Sequence, residues 1–182
     1  AKIFQQIASL FQQVYEANTA AMEKLQSETE GDDRALEALY TSDRWRQKEF
    51  ISSLARYRAS KTRYYWALVL EKGDEERTRL LREAILGFSP YTMAYQGPDL
   101  LSYCRLGRAL CYRELGNYEK AMEELEEVSK GQVPPTILIQ VRTERIGIHL
   151  HFQRYRQALE EANQFLAELE KEGTQASLAD RI

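Results

Sequence analysis

The chain has 182 residues, of which 43% are apolar and 29% charged, and its net charge is −3. That length suffices for one globular domain or two small ones, and the composition argues against a disordered or membrane-spanning chain. The near-neutral total charge gives no global attraction to nucleic acid or anionic lipid. Because four Pro and nine Gly leave few breaks for a multi-stranded sheet, we expect an all-α fold.

The first predicted helix covers residues 2 to about 27. Its apolar residues alternate in spacings of four and three, which places them in one row along the helix: Ile3, Ile7, Leu10, Val14, Ala17 and Ala21. The aromatic residues Phe4, Phe11 and Tyr15 widen this row. We expect the row to be buried against the next helix, and self-association by coiled-coil pairing with another chain is the alternative.

Breaks between the later helices follow from turn-forming residues. Residues 34–72 contain no Gly or Pro, and we expect a break near Thr41 with Ser42 as the N-cap of the next helix. Further turns are predicted at Ser27–Asp33, Gly73–Asp74, Gly116–Asn117 and 131–135, with final helices over about 136–152 and 155–171. A loop is predicted over 88–99 and contains Phe88, Tyr91, Met93 and Tyr95. These side chains either pack against the helices or anchor a partner protein.

One helix–turn–helix segment has a recognisable pattern of small and aromatic residues: Ala109, Tyr112, Gly116, Tyr118 and Ala121. It resembles the tetratricopeptide repeat, in which a small residue and an aromatic precede a Gly-x-Tyr-x-x-Ala turn. Tyr155 and Ala158 repeat Tyr118 and Ala121 at an interval of 37 residues, although Gln153 replaces the turn glycine.

The resemblance divides the chain into N-terminal helices over 1–58, repeats over 59–172 and a tail over 173–182. The repeats are a degenerate copy at 59–90, a clear copy at 100–134 and a further copy at 137–171. It implies an α-α superhelix, a solenoid of antiparallel hairpins, and a scaffold or adaptor role in complex assembly. Each hairpin has an apolar flank that only a neighbour can cover.

Catalytic motifs are absent from the sequence, so we expect no enzyme, cofactor or metal site. His149 and His151 lie two residues apart and face different sides of a helix, so they cannot share a metal. Cys104 and Cys111 lie seven residues apart, too far along one helix for a disulfide. Two free thiols favour a reducing compartment, and we expect a cytoplasmic location. We also expect the chain to be a fragment of a larger protein.

Two arginine pairs recur at the same interval: Arg105 and Arg108 return as Arg142 and Arg145. Stacked hairpins would align the four guanidinium groups into a ladder that binds an acidic segment of a partner protein. Tyr103, Tyr112 and His149 would line the nearby surface. Ordinary pairing of these arginines with neighbouring glutamates is the alternative interpretation.

A basic segment from Arg44 to Trp66 supports a different function. Its cations include Arg56, Arg58, Lys61 and Arg63, and Tyr57, Tyr64, Tyr65 and Trp66 lie between and beside them. Cations neutralise phosphates and aromatic rings stack on bases, so nucleic-acid binding is the alternative to protein binding. The sequence has no apolar run of membrane length, and we expect no membrane insertion.

Overall fold

The computed structural model describes residues 2–89, 98–131 and 133–171, which form eight α-helices and no strand. Their bounds are α1 Lys2–Ser27, α2 Asp33–Thr41, α3 Asp43–Leu68, α4 Glu75–Gly87, α5 Pro98–Glu114, α6 Tyr118–Ser129, α7 Pro135–His151 and α8 Tyr155–Lys171. The predicted all-α class is therefore confirmed. No helix in these ranges combines the length and the hydropathy needed to cross a bilayer.

The predicted break near Thr41 is confirmed, and Ser42 caps α3. The Ser42 hydroxyl accepts a hydrogen bond from the Trp45 amide at 3.2 Å, and Asp43 lies in the first turn of the helix. Asp32, Asp74 and Asn117 cap α2, α4 and α6 in the same way. Short polar side chains thus set the helix starts at the positions expected from the sequence.

The chain folds as two compact units, Ala1–Val133 and Pro134–Ile182. In the first unit α3 is central, and it packs most extensively against α1 and α4. The core of this unit lies between α3, α4 and α5 and includes Tyr57, Tyr64, Leu80, Leu81, Phe88, Cys104 and Cys111. Helices α7 and α8 form the second unit as a hairpin. Stacking of the second unit on the first, which a solenoid requires, stays a prediction.

The turns after α5 and α7 have the same backbone geometry, 37 residues apart. Gly116 has φ +77° and Gln153 has φ +56°, so both take the left-handed conformation. The Asn117 amide donates to the Tyr112 carbonyl at 2.9 Å, and the Arg154 amide donates to the His149 carbonyl at 2.8 Å. These are the six-residue closures of a Schellman motif. The replacement of glycine by glutamine has therefore left the turn unchanged.

The expectation that the apolar row of α1 is buried against the next helix is wrong. Ile3 is 70% exposed and Leu10 is 61% exposed, and Ile7 and Val14 are also exposed. The face that packs against α3 is the adjacent one, which contains Ala8 and the half-buried Phe4, Phe11 and Tyr15. Aromatic side chains bury more area per residue than aliphatic ones, so α3 covers the aromatic side of the helix.

The loop predicted over 88–99 falls largely outside the described residues, with Tyr91, Met93 and Tyr95 among those not described. Its first residue, Phe88, is 2% exposed and packs in the core, with its ring centroid 5.8 Å from that of Tyr57. Phe88 is thus a packing residue rather than an anchor for a partner.

Candidate interaction surfaces

The first arginine pair lies inside the α5–α6 hairpin. Arg105 Nη1 lies 3.3 Å from Glu124 Oε2, and Arg108 Nη2 lies 2.9 Å from Glu124 Oε1. One carboxylate thus accepts from two guanidinium groups, one on each oxygen. Because Glu124 is largely buried, these contacts fix the two helices of the hairpin to each other.

The second arginine pair repeats this arrangement in the α7–α8 hairpin. Arg142 Nη1 lies 2.5 Å from Glu161 Oε1, and Arg145 Nη2 lies 3.0 Å from Glu161 Oε2. Arg142 also contacts Glu168 at 3.0 Å. Burial opposes the charge on Arg142, but the hydrogen bonds and attraction of the two glutamates outweigh it and raise the pKa of Arg142.

These contacts favour the alternative interpretation of the arginines, pairing with neighbouring glutamates. An acidic ligand would have to compete with Glu124 or Glu161 for guanidinium groups with which these glutamates already pair. Glu124 and Glu161 are themselves 37 residues apart, and this spacing was the available signal for them. Alignment of the two pairs into one ladder would depend on how the two units stack and stays a prediction.

The aromatic residues predicted beside the arginines are only partly accessible. Tyr112 is half-buried, with Arg108 Cζ 6.0 Å and Lys120 Nζ 5.6 Å from its ring centroid. His149 is half-buried, and its Nδ1 has no hydrogen-bond partner among the described residues. Tyr103 is 36% exposed, and its ring centroid lies 6.1 Å from that of Tyr57. Tyr112 and His149 are therefore not freely exposed anchors, whereas Tyr103 is accessible.

Two cations of the basic segment, Arg56 and Arg63, contact acceptors on α4. Arg56 donates to the Leu86 carbonyl at 3.0 Å, and Arg63 Nε lies 3.4 Å from Glu83 Oε2. Arg58 and Lys61 instead lie 5.9 Å and 5.7 Å from the ring centroid of Tyr57.

Most aromatic side chains of the same segment are buried or half-buried. Tyr57 and Tyr64 are buried in the core, Trp66 is half-buried, and Tyr65 is exposed. A surface that stacks on successive bases needs several accessible rings. This arrangement therefore disfavours nucleic-acid binding by the segment.

A cleft of about 270 Å³ lies between α1 and α3. Tyr15, Met22 and Trp45 form its apolar walls, and Glu23 and Glu49 supply carboxylates. Burial raises the pKa of Glu49. The volume is below the roughly 300–1,000 Å³ of typical small-molecule sites. Among the described residues, no group of three or more His, Cys, Asp or Glu side chains could hold a metal ion.

An extended apolar surface lies along the outward row of α1, which consists of Ile3, Ile7, Leu10, Val14, Ala17 and Ala21. The first five are exposed and Ala21 is half-buried. The row extends over about 27 Å at 1.5 Å per residue. Glu16 is the only charged residue between Ile3 and Met22. The spacing of these residues correctly predicted one apolar row on α1, but the expectation that the next helix covers the row was wrong.

Comparison with known proteins gives no relative of this chain. No protein-family model matches the sequence, and no curated protein and no solved structure matches it either. The resemblance to the tetratricopeptide repeat therefore rests on the residues of the two hairpins and their shared turn geometry.

Proposed function

We propose that this protein is a protein–protein interaction module, a non-enzymatic scaffold or adaptor of tetratricopeptide-like hairpins that binds a helix of another chain. The observation that carries the proposal is the outward row of α1. It is apolar, exposed and spaced at alternating intervals of four and three residues.

The spacing of this row identifies the kind of partner it fits. A repeat of 3.5 residues keeps apolar side chains facing a second helix as the two coil around each other. Leaving Ile3, Ile7, Leu10 and Val14 in water forgoes roughly 25 cal/mol for each Å² of apolar surface that a partner would cover. The arginine pairs contribute by holding the hairpins rigid rather than by contacting the partner.

A cytoplasmic location belongs to the same proposal. Cys104 and Cys111 are buried free thiols on α5, and unpaired cysteines are typical of reducing compartments.

Affinity capture with matched variants tests the proposal. Leu10→Glu places a charge in the middle of the outward row, and Leu86→Glu makes the same change at a similarly exposed leucine on α4. We expect Leu10→Glu to lose the bound protein at least tenfold and Leu86→Glu to retain it. Equal binding by both variants would contradict the proposal, as would binding that is lost only on reversing Arg58 and Lys61.

A further inference from the structure

We infer that the occupant of the outward row is the same row of a second copy of this chain, packed antiparallel to the first. This inference rests on the proposed function and names its partner. Two properties of the row support it: the order of its side-chain sizes and its lack of charge from Ile3 to Ala21.

Side-chain size decreases along the row from large to small. Ile3 and Ile7 stand at one end, Leu10 and Val14 in the middle, and the alanines Ala17 and Ala21 at the other. If two copies run in opposite directions about a two-fold axis near residue 12, the opposed pairs are Ile3 with Ala21, Ile7 with Ala17, and Leu10 with Val14. Each large side chain then meets a small one, as close packing requires.

A parallel arrangement of the same two helices would pack less evenly. Ile3 would meet Ile3 at one end, while Ala17 and Ala21 would meet only alanines at the other. The alanine end would leave gaps between helices held apart by the isoleucine end, and such gaps forfeit contact energy. The antiparallel arrangement avoids this because its two halves are equivalent by symmetry.

Charge permits this pairing but does not set its direction. No charged side chain lies in the row from Ile3 to Ala21, so two copies can approach without burying an unpaired charge. Lys2 is exposed at one end of α1, and Glu23 and Lys24 are exposed side by side at the other. In the antiparallel pair Lys2 of each copy lies near both groups of the other, so these charges nearly cancel and the direction follows from side-chain size. Gln13 lies beside the row near the axis, and its amide can both donate to and accept from its copy.

Disulfide trapping tests both the pairing and its direction. Positions 7 and 17 are opposed in the antiparallel pair, whereas position 7 of one copy lies about 15 Å along the axis from position 7 of the other. That separation exceeds the limit of about 7 Å between Cα atoms for a disulfide. The native Cys104 and Cys111 are fully buried and leave the introduced thiols as the reactive ones.

We expect the double variant Ile7→Cys/Ala17→Cys to be oxidised mostly to a covalent dimer, and Ile7→Cys and Ala17→Cys alone to stay monomeric. Both positions are exposed, and an unchanged circular dichroism spectrum would verify folding. Efficient dimerisation of Ile7→Cys alone would overturn the antiparallel direction, and no dimer in any variant would overturn self-pairing. The latter result, combined with loss of captured protein in Leu10→Glu, would leave the proposed function intact with a different partner helix.

Discussion

At the scale of single residues, Gln153 shows how the hairpin geometry is kept without its usual residue. A left-handed backbone brings Cβ close to the following carbonyl, which costs a residue other than glycine about 1–2 kcal/mol. Gln153 nevertheless takes φ +56° where the preceding hairpin has Gly116. The two hydrogen bonds of the turn and the packing of α8 on α7 maintain this conformation.

Gln153→Gly is expected to stabilise the protein by about 1 kcal/mol because it removes this steric cost. Urea unfolding monitored by circular dichroism measures the change. Gly116→Ala is the matched control and should lose a similar amount, since a Cβ there meets no atom within 4 Å and only the backbone responds. A lower free energy of unfolding for Gln153→Gly would show that contacts of the glutamine side chain stabilise the protein by more than its left-handed backbone destabilises it.

The two thiols are residues whose burial has a measurable consequence. Burial raises the pKa of Cys104 from its usual 9.0 to about 12 and raises the pKa of Cys111 as well. The folded state therefore holds these protons more tightly than the unfolded state does. The stability that this provides is complete below about pH 9 and is lost as the pH rises towards about 12.

We accordingly expect the free energy of unfolding to fall between about pH 9 and about pH 12. Tyr57, whose pKa burial raises to about 12, contributes to the same fall. Cys104→Val should make the fall shallower, and valine is the residue at the equivalent position 141 of the next hairpin. A slope unaffected by this substitution would show that Cys104 ionises equally in both states.

At the scale of helices, the α5–α6 and α7–α8 hairpins share one feature. In each, a glutamate on the second helix pairs with two arginines on the first. Glu161 is 8% exposed and joins α8 to two arginines of α7. Breaking a buried ion pair by removing one partner leaves an uncompensated charge, and this is more costly than losing an exposed pair.

Glu161→Gln is expected to lower the free energy of unfolding by about 3 kcal/mol. Glu160→Gln makes the same change one residue away, where Glu160 pairs with the exposed Arg156, and should cost less than about 0.5 kcal/mol. Thermal unfolding of the two variants side by side measures the difference. Equal losses would mean that the buried cluster contributes no more than a surface ion pair.

The helices themselves were largely predictable from sequence, because caps and turns are local. Ser42, Gly73 and Gly116 mark the boundaries through their own backbone chemistry, and the structure has each one at the end of a helix or in a turn. The partners of the helix faces were less predictable. The outward row of α1 and its aromatic neighbours are both apolar, and their spacing alone does not say which of them α3 covers. The larger area of the aromatic rings accounts for the side that α3 covers.

At the scale of the whole molecule, the two hairpins with a common turn and a common glutamate cluster define a repeating unit of 37 residues. Intervals of this size are typical of repeat architectures, and stacking of these two hairpins as neighbouring repeats stays a prediction. The arginine pairs were predictable as a repeat, and pairing with neighbouring glutamates was one of the two roles that the sequence left open. Which glutamates they pair with was not predictable, because Glu124 and Glu161 lie on the second helix of each hairpin. Contacts between helices depend on packing that residue spacing alone does not specify.

Sedimentation equilibrium over a range of concentrations tests the central claim, that the outward row of α1 pairs with a second copy. The wild type and Leu86→Glu should rise with concentration from 21.2 kDa towards twice that mass, and Leu10→Glu should stay at 21.2 kDa. A wild-type mass of 21.2 kDa throughout, or a dimer that Leu10→Glu leaves intact, would contradict it.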